Sequence, residues 1–369
     1  VTSTSPFIES VAARLGELVA QAHNELPEIA TDADALTAVA ESFLTGGKRF
    51  RARLAYWGWR AGRTFGDVSA DIETASALDH VVSLATGLEL FHAAALVHDD
   101  IIDKSDTRRG TPSAHRQFER HHVDGRFDGS ADHYGKSSAI LLGDLLLSWA
   151  DDQFLGAALS VDAQSAQIFR SELRTMRSDV TAGQFLDNHD SVAWRNISDG
   201  DAIDRAQRVV IYKSAKYSVE APLVLGAILG GAQPPLISAL RGFALPLGFA
   251  FQLRDDLLGV FGDEETTGKP AGDDLREGKR TVLLAIARQR ADRATVTVFD
   301  ELIGDPRLEP AQVDMLRSTL VATGAVQQIE ELIATSRDRS LRSLAEMGVD
   351  SSVERELRSL VDAITIRTV

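Results

Sequence analysis

Apolar residues recur three and four positions apart along most of this chain. From Phe7 to Leu26, the residues Ile8, Val11, Ala12, Leu15, Leu18 and Val19 build one stripe, the pattern of a helix with a single buried face. Comparable stripes cover Ala75–Ile102, Ala139–Leu159, Ala206–Leu229, Ile237–Val260, Thr281–Ala291 and Val326–Ala345. Strand signals are nearly absent. The Asp-Gly pairs ending at Gly125, Gly129 and Gly200 lie in polar stretches and join no alternating runs. No proline falls between Pro112 and Pro222, which leaves that region open to long unbroken helices. With no linker and no repeat, the pattern predicts an all-α fold in a single domain over residues 1–369.

One segment breaks the period. Lys104–Ser137 is polar and carries four of the nine histidines, His115, His121, His122 and His133. It reads as a polar loop insertion around residues 116–134. A solvated lid or partner-facing surface suits it better than a metal site.

Charge and composition narrow the partners. Lys and Arg number 39 against 54 Asp and Glu, a net charge of −15, which argues against a nucleic-acid partner. The most apolar stretch, Ala221–Ala232, is shorter than the roughly 20 residues a bilayer requires. It is expected to be a buried helix, and no integral membrane segment is expected. Glu9, Arg14 and Glu17 interrupt the apolar positions near the start, unlike a signal peptide. The chain has no cysteine, hence no disulfide and no cysteine nucleophile, and a cytoplasmic setting is expected.

Candidate chemistry gathers at two helix ends. Asp99, Asp100 and Asp103 close the apolar run that begins at Ala75. Asp99 and Asp103 stand at i, i+4 and so share one face. Carboxylates crowded at a helix C-terminus repel one another and oppose the helix dipole. A divalent cation relieves both problems, and an all-oxygen donor set points to Mg²⁺. Taken alone, the string is equally a solvated acidic helix end. A second cluster changes the balance: Gln252, Asp255 and Asp256 close another apolar helix and share a face. If the two ends are opposed, they would hold Mg²⁺ on a di- or triphosphate.

Cations flank both clusters. Arg108 and Arg109 follow the first, and Lys269 and Lys279 follow the second. Lys48 and Arg51 lie upstream at i, i+3 on a predicted helix start, and Lys213 with Ser214 lies mid-chain. In a chain this acidic, such groups suit phosphate, Arg as a fork of donors and Lys as a point charge. Any one of them alone is equally a surface residue. His92 is seven residues before Asp99, within roughly 20° of the same face and about 10 Å away. It is either a donor to a second phosphate group or a satisfied core histidine.

GGKRFR, ELFHAAALVHDDIID, DTRRGTP, LLGDLLLS, GQFLD, YKSA, FQLRDD and TGKPAGDDLREGK occur in this order between Gly46 and about Thr281. The series resembles the trans-isoprenyl diphosphate synthases of the polyprenyl synthetase family. The resemblance implies a helical bundle around a deep central cavity, usually a homodimer. It also implies a Mg²⁺-dependent prenyltransferase that joins isopentenyl diphosphate head to tail to an allylic diphosphate (dimethylallyl, geranyl or farnesyl). Carried onto this chain, the family pattern assigns Asp99, Asp100, Asp103, Asp255 and Asp256 to Mg²⁺, three ions when substrate is bound. Arg108, Lys213, Ser214, Gln252, Lys269 and Lys279 would bind the allylic diphosphate, and Lys48, Arg51, His92 and Arg109 isopentenyl diphosphate. Three residues depart from the pattern: Gly259 where many members carry the last Asp of the second motif, Ala52 where a Pro is usual, and Ser214 where Thr is usual.

Product length is expected to follow from the residues before Asp99. Ala95 and Ala94 lie roughly 6 and 7.5 Å deeper along the helix, at 1.5 Å per residue. A bulky aromatic here stops growth in the family, so two alanines leave the way open, with Phe91 or Trp149 as a lower floor. The expected product is geranylgeranyl diphosphate, with farnesyl or a longer polyprenyl diphosphate as the alternative. A class I terpene cyclase would need no isopentenyl site. A non-catalytic subunit of a heteromeric synthase would be expected to lose its acidic motifs.

Overall fold

A computed structural model describes residues 4–65, 75–262 and 272–365. Helices follow one another as α1 (Ser5–Ile29), α2 (Asp34–Leu44), α3 (Phe50–Thr64), α4 (Ala75–Ile102), α5 (Ala114–Asp124), α6 (Ala131–Ala158), α7 (Ala163–Ala193), α8 (Asp199–Val209), α9 (Ala221–Leu229) and α10 (Pro234–Phe261). They continue as α11 (Asp273–Glu277), α12 (Val282–Arg290), α13 (Arg293–Leu302), α14 (Pro310–Ala322), α15 (Ala325–Glu346) and α16 (Ser351–Thr365). Among the described residues, the only sheet is one two-stranded pair, so the all-α prediction holds. The chain divides into two compact units, Val1–Ser171 with Pro222–Gln233, and Glu172–Ala221 with Pro234–Val369.

In the first unit, α4 packs along α6, and α3 packs on α4. The Ala221–Ala232 stretch forms α9, buried from Pro222 to Ile228 as expected. It meets α3 by backbone-to-backbone approach. A β-carbon on Gly58 would stand 2.0 Å from the Leu223 carbonyl oxygen, and one on Gly226 would stand 2.0 Å from that of Ala55. Only glycine lets two helices come this close. Trp57 and Trp59 fill the core beside this contact, each 1% exposed.

The second unit is built on α10, which packs on α15 and on the segment Val210–Glu220. Buried Arg254 on α10 donates to both Glu330 oxygens, at 2.6 and 2.7 Å, and to the Thr365 carbonyl at 3.3 Å. That one side chain pins α10 to α15 and α16. Among the described residues, helix α4 from Ala77 and helix α10 are each long and apolar enough to cross a bilayer by length and composition, both longer than the Ala221–Ala232 run. In these windows 78% and 50% of the residues are buried inside the protein.

Three local expectations are corrected. Much of the 116–134 insertion is helix: α5 ends at Asp124 and α6 starts at Ala131. The buried face of α5 is Ala114, His115, Phe118 and His122, so histidines hold positions where apolar residues would have revealed the period. His121, His122, Phe127 and Tyr134 then pack ring to ring across the short turn. Secondly, the helical run expected over Ala206–Leu229 is present but passes through a π-helical stretch, Val210–Glu220. Thirdly, a hairpin forms where no strand was expected, pairing β1 (Thr107–Arg108) with β2 (Thr111–Pro112). Its loop is Arg109-Gly110, with φ of 54° and 75°, as a two-residue turn of this hand demands.

Candidate active site

Helix α4 ends in Asp99, Asp100 and Asp103. Asp100 is fully buried and accepts two bonds from the Arg108 guanidinium, one from Nε at 3.0 Å and one from Nη2. Backbone contacts seat the hairpin that carries Arg108: Ser105 N donates to Asp100 O, and Ser113 N to Asp106 O, both at 2.9 Å. Asp99 and Asp103 are half-buried one turn apart. Asp100 is thus paired with Arg108, while Asp99 and Asp103 share a face one turn apart. His98, just before them, lies against α6 with Nε2 3.2 Å from the Ile140 carbonyl oxygen.

The hairpin turn brings Arg109 onto the glycine loop ahead of α3. A β-carbon on Gly47 would lie 3.3 Å from Arg109 Nη1. Gly46 and Gly47 both have left-handed φ, 72° and 82°, so the loop needs two glycines for conformation and the second for access. Helix α3 starts at Phe50, later than the sequence suggests, so Lys48 is exposed in the loop and Arg51 lies in the first turn. Arg49, between them, adopts φ 47° and is held by Glu89 of α4, 3.1 Å away, and by the Leu44 carbonyl. Glu89 also accepts from the backbone N–H of Ala52 at 3.3 Å. A proline at 52 could not make that bond, which gives this departure from the family pattern a local reason.

His92 lies among these cations. Burial lowers its pKa well below the ordinary value, and Arg51, Arg109, Arg108 and Arg49 push it further down. Burial also lowers Arg109, with the Arg49 charge adding to it. Arg49, Arg51, Arg108 and Arg109 therefore form one cationic corner around His92 in the first unit, which keeps the ring neutral at pH 7, while Lys48 is exposed in the loop ahead of α3. Such a corner suits an anion with several oxygens.

In the second unit, Gln252 Nε2 donates to Asp256 Oδ1 at 2.9 Å and stands 3.5 Å from Asp255 Oδ2. Asp255 is exposed and Asp256 buried. Burial raises the Asp256 carboxyl well above its usual range, and the charges of Asp274 and Asp255 add to that. Lys213 and Ser214 fall in the π-helical stretch, whose wider turn is a frequent mark of functional sites. Lys213 Nζ is 2.6 Å from Asp187 of the GQFLD motif on α7. Lys279 pairs with Glu277 at 2.6 Å and Asp274 at 3.3 Å. Lys269 lies outside the described residues.

Residues 33–320 match the family model described as polyprenyl synthetase. The chain belongs to the polyprenyl synthetase family. A crystal structure of geranylgeranyl pyrophosphate synthase from Corynebacterium glutamicum, complexed with isoprenyl diphosphate and magnesium, superposes with a TM-score of 0.90. It is 37% identical and covers 99% of this chain and 100% of its own. Geranylfarnesyl diphosphate synthase of Natronomonas pharaonis is 28% identical over 98% of this chain and 97% of its own length. Chloroplastic geranylgeranyl pyrophosphate synthase 11 of Arabidopsis thaliana is 30% identical over 72% of this chain and 68% of its own.

The acidic residues of this polyprenyl synthetase suit magnesium in one particular way. Among the described residues, no three His, Asp or Glu side chains converge on a ready-made metal site. Mg²⁺ does not need one, because it usually takes one or two carboxylates and completes its shell with waters and substrate phosphates. The raised Asp256 carboxyl beside Asp255 and Asp274 is an accumulation of negative charge that a cation relieves.

The chain-length positions separate. Ala94 is fully buried, Phe91 is 7% exposed, and Ala95 is half-buried on the face of α4 that also carries Asp99. Sequence reasoning passed over Arg49, Glu89 and Asp187, which hold the assigned cations or the loop around them. A lone Glu inside the apolar run ahead of His92 was the available signal for Glu89.

Proposed function

We propose that this protein condenses isopentenyl diphosphate with dimethylallyl, geranyl or farnesyl diphosphate to make geranylgeranyl diphosphate, with Mg²⁺ as cofactor. The observation that carries the reading is the cationic corner around neutral His92, next in sequence and space to the acidic end of α4. A terpene cyclase needs no such corner.

Asp99 and Asp103, with Asp255 and Asp256, would hold Mg²⁺ on the allylic diphosphate. Bound Mg²⁺ supplies Lewis-acid neutralisation of charge developing on the leaving pyrophosphate. Arg108, oriented by Asp100, shares that charge, as would Lys213, Ser214, Gln252, Lys269 and Lys279. Lys48, Arg51 and Arg109 grip the second diphosphate, to which uncharged His92 donates one ring N–H. As the allylic C–O bond breaks, the alkene of isopentenyl diphosphate attacks the cation. The proton then lost restores a double bond and leaves with pyrophosphate. No protein nucleophile takes part, in keeping with a chain that has no cysteine.

A longer product is the second reading. Half-buried Ala95 puts no aromatic ring in the path, and a relative matched over nearly its whole length is named for geranylfarnesyl diphosphate. We also take the chain to act as one catalytic domain in a cytoplasmic homodimer. Leu141, Leu155 and Leu159, along one line of α6 and just past its end, are 61%, 59% and 77% exposed, which suits a subunit interface.

The test supplies the purified chain with isopentenyl diphosphate, each allylic primer in turn, and Mg²⁺, then resolves dephosphorylated products by chromatography. Geranylgeraniol, lost on adding chelator, is the expected result. No condensation would leave the non-catalytic subunit standing, and cyclised hydrocarbon from one diphosphate would support the cyclase.

A further inference from the structure

A cavity in the second unit contains none of the residues assigned to either diphosphate. It lies where the end of α7 meets α8, α12 and α13, and its lining includes Asp190, Trp194, Arg205, Arg280, Arg288 and Phe299. Its volume is about 50 Å³, against the roughly 10–15 Å³ that holds one water. It has room for one small polyatomic group and none for a prenyl chain.

Cations outnumber anions around it, in a chain whose net charge is −15. Three guanidiniums gather on one indole: the Trp194 ring centroid is 4.1 Å from Arg280, 5.0 Å from Arg195 and 5.1 Å from Arg288. The carboxylates present are already spent. Asp190 takes Nε of Arg205 at 3.1 Å and its Nη2 as well, and Asp300 takes both terminal nitrogens of Arg288, one of them at 3.3 Å. The charge of Asp300 also reaches Arg280, but its oxygens face Arg288. Among the described residues, Arg280 and Arg195 pair with no carboxylate. Arg280 Nε is buried without a hydrogen-bond partner, and its Nη2 meets the Ile303 carbonyl oxygen only at 3.5 Å. Burial pushes the Arg280 pKa down to about 10, and the Arg288 charge adds to that, so at pH 7 the group is still a cation. The indole face offsets part of the cost of burying it but offers the Nε–H no acceptor.

We propose that this cavity binds a single phosphate group, as the free ion or as the head of a phosphate monoester, with Arg280 as its main ligand. Phosphate suits the cavity because a guanidinium fork pairs with two of its oxygens at once, while the remaining oxygens face the neighbouring cations. The site also adjoins the chemistry along the chain. Arg280 directly follows Lys279, and Asp190 is one turn after Asp187, the partner of Lys213. Lys213 and Lys279 are both assigned to the allylic diphosphate. On the diphosphate-synthase reading, an anion on Arg280 lowers the positive potential that draws that substrate and raises its KM. Binding itself does not rest on that reading.

The test titrates the full chain with inorganic phosphate, and separately with methyl phosphate, by calorimetry and tryptophan fluorescence with a chelator present. Arg51→Gln is the reference, because the cationic corner around His92 would also attract phosphate. Phosphate binding with a fluorescence change should persist in Arg51→Gln and weaken about tenfold or more in Arg280→Met, whose unbranched stem keeps the packing and drops the donors. Arg280→Lys, which keeps the charge and loses the fork, should fall between. Methyl phosphate binding at the same site would mark a monoester head, and its failure to bind would mark the free ion. Circular dichroism establishes that each variant is folded. If folded Arg280→Met and Arg280→Lys bind phosphate as the parent does, or if binding disappears in Arg51→Gln instead, the cavity holds water and the proposal fails. In the condensation assay, phosphate should raise the allylic KM two- to threefold more in the parent than in Arg280→Met; equal effects would overturn the link to catalysis. Binding that depends on Arg280 in a chain that condenses nothing would uphold the site and sink the synthase reading.

Discussion

Replacing Asp100 by Asn tests whether the middle carboxylate of the first motif is a positioning group for Arg108. Asp100 is completely buried, and the Arg108 side chain is 19% exposed. The carboxylate takes two bonds from one guanidinium. Both bonds go to one oxygen, Oδ1, which an amide keeps, but the amide carries no charge, so the substitution leaves a largely buried cation without its counter-charge. Breaking a buried pair in this way costs about 3 to 5 kcal/mol, and the residual exposure of Arg108 favours the lower end. Chemical unfolding in urea, without metal and with a chelator present, should show a clear drop in the midpoint. Asp99→Asn is the control. It removes a half-buried charge from an acidic helix end, so the metal-free midpoint should hold or rise while condensation is nearly abolished. Were Asp100 chiefly a metal ligand, its variant would behave like the control. An unchanged urea midpoint for Asp100→Asn would therefore refute the positioning argument.

Further outcomes are expected. Ala95→Phe should shift the main product to a shorter chain on chromatography, whereas Ala94→Phe, at a site with 0% exposure, should destabilise the fold by about 1 to 3 kcal/mol through overpacking. His92 has a folded pKa below its unfolded value near 6.5, so the unfolded chain binds more protons and stability should fall as pH drops below about 6.5. Urea midpoints measured from pH 7.5 down to 5.5 check this, and a midpoint that does not fall below about pH 6.5 would refute the neutral buried ring. Leu155→Arg should turn a dimer into a monomer in sedimentation analysis, while an already monomeric parent would remove the interface on α6.

The long helices were legible in the sequence because their buried faces are made of ordinary apolar residues at helical spacing. The acidic helix ends were legible because like charges packed into five residues need an external reason. The chain alone therefore determined the all-α class, the two carboxylate clusters and the family. It could not show α5, whose buried face is partly histidine, or the hairpin, whose turn is an Arg-Gly pair rather than a familiar Asn-Gly. Nor could it divide the labour among neighbours in one motif. That Asp100 turns inward to Arg108 while Asp99 and Asp103 do not, and that Ala94 is fully buried while Ala95 is only half-buried, depends on what packs against each side of α4. The same holds for Gly259, which in sequence is a missing carboxylate and in space has no room for one, since a β-carbon there would stand 2.0 Å from Asp274 Oδ2. Spacing along a helix states which residues share a face; only the neighbouring elements decide what that face meets.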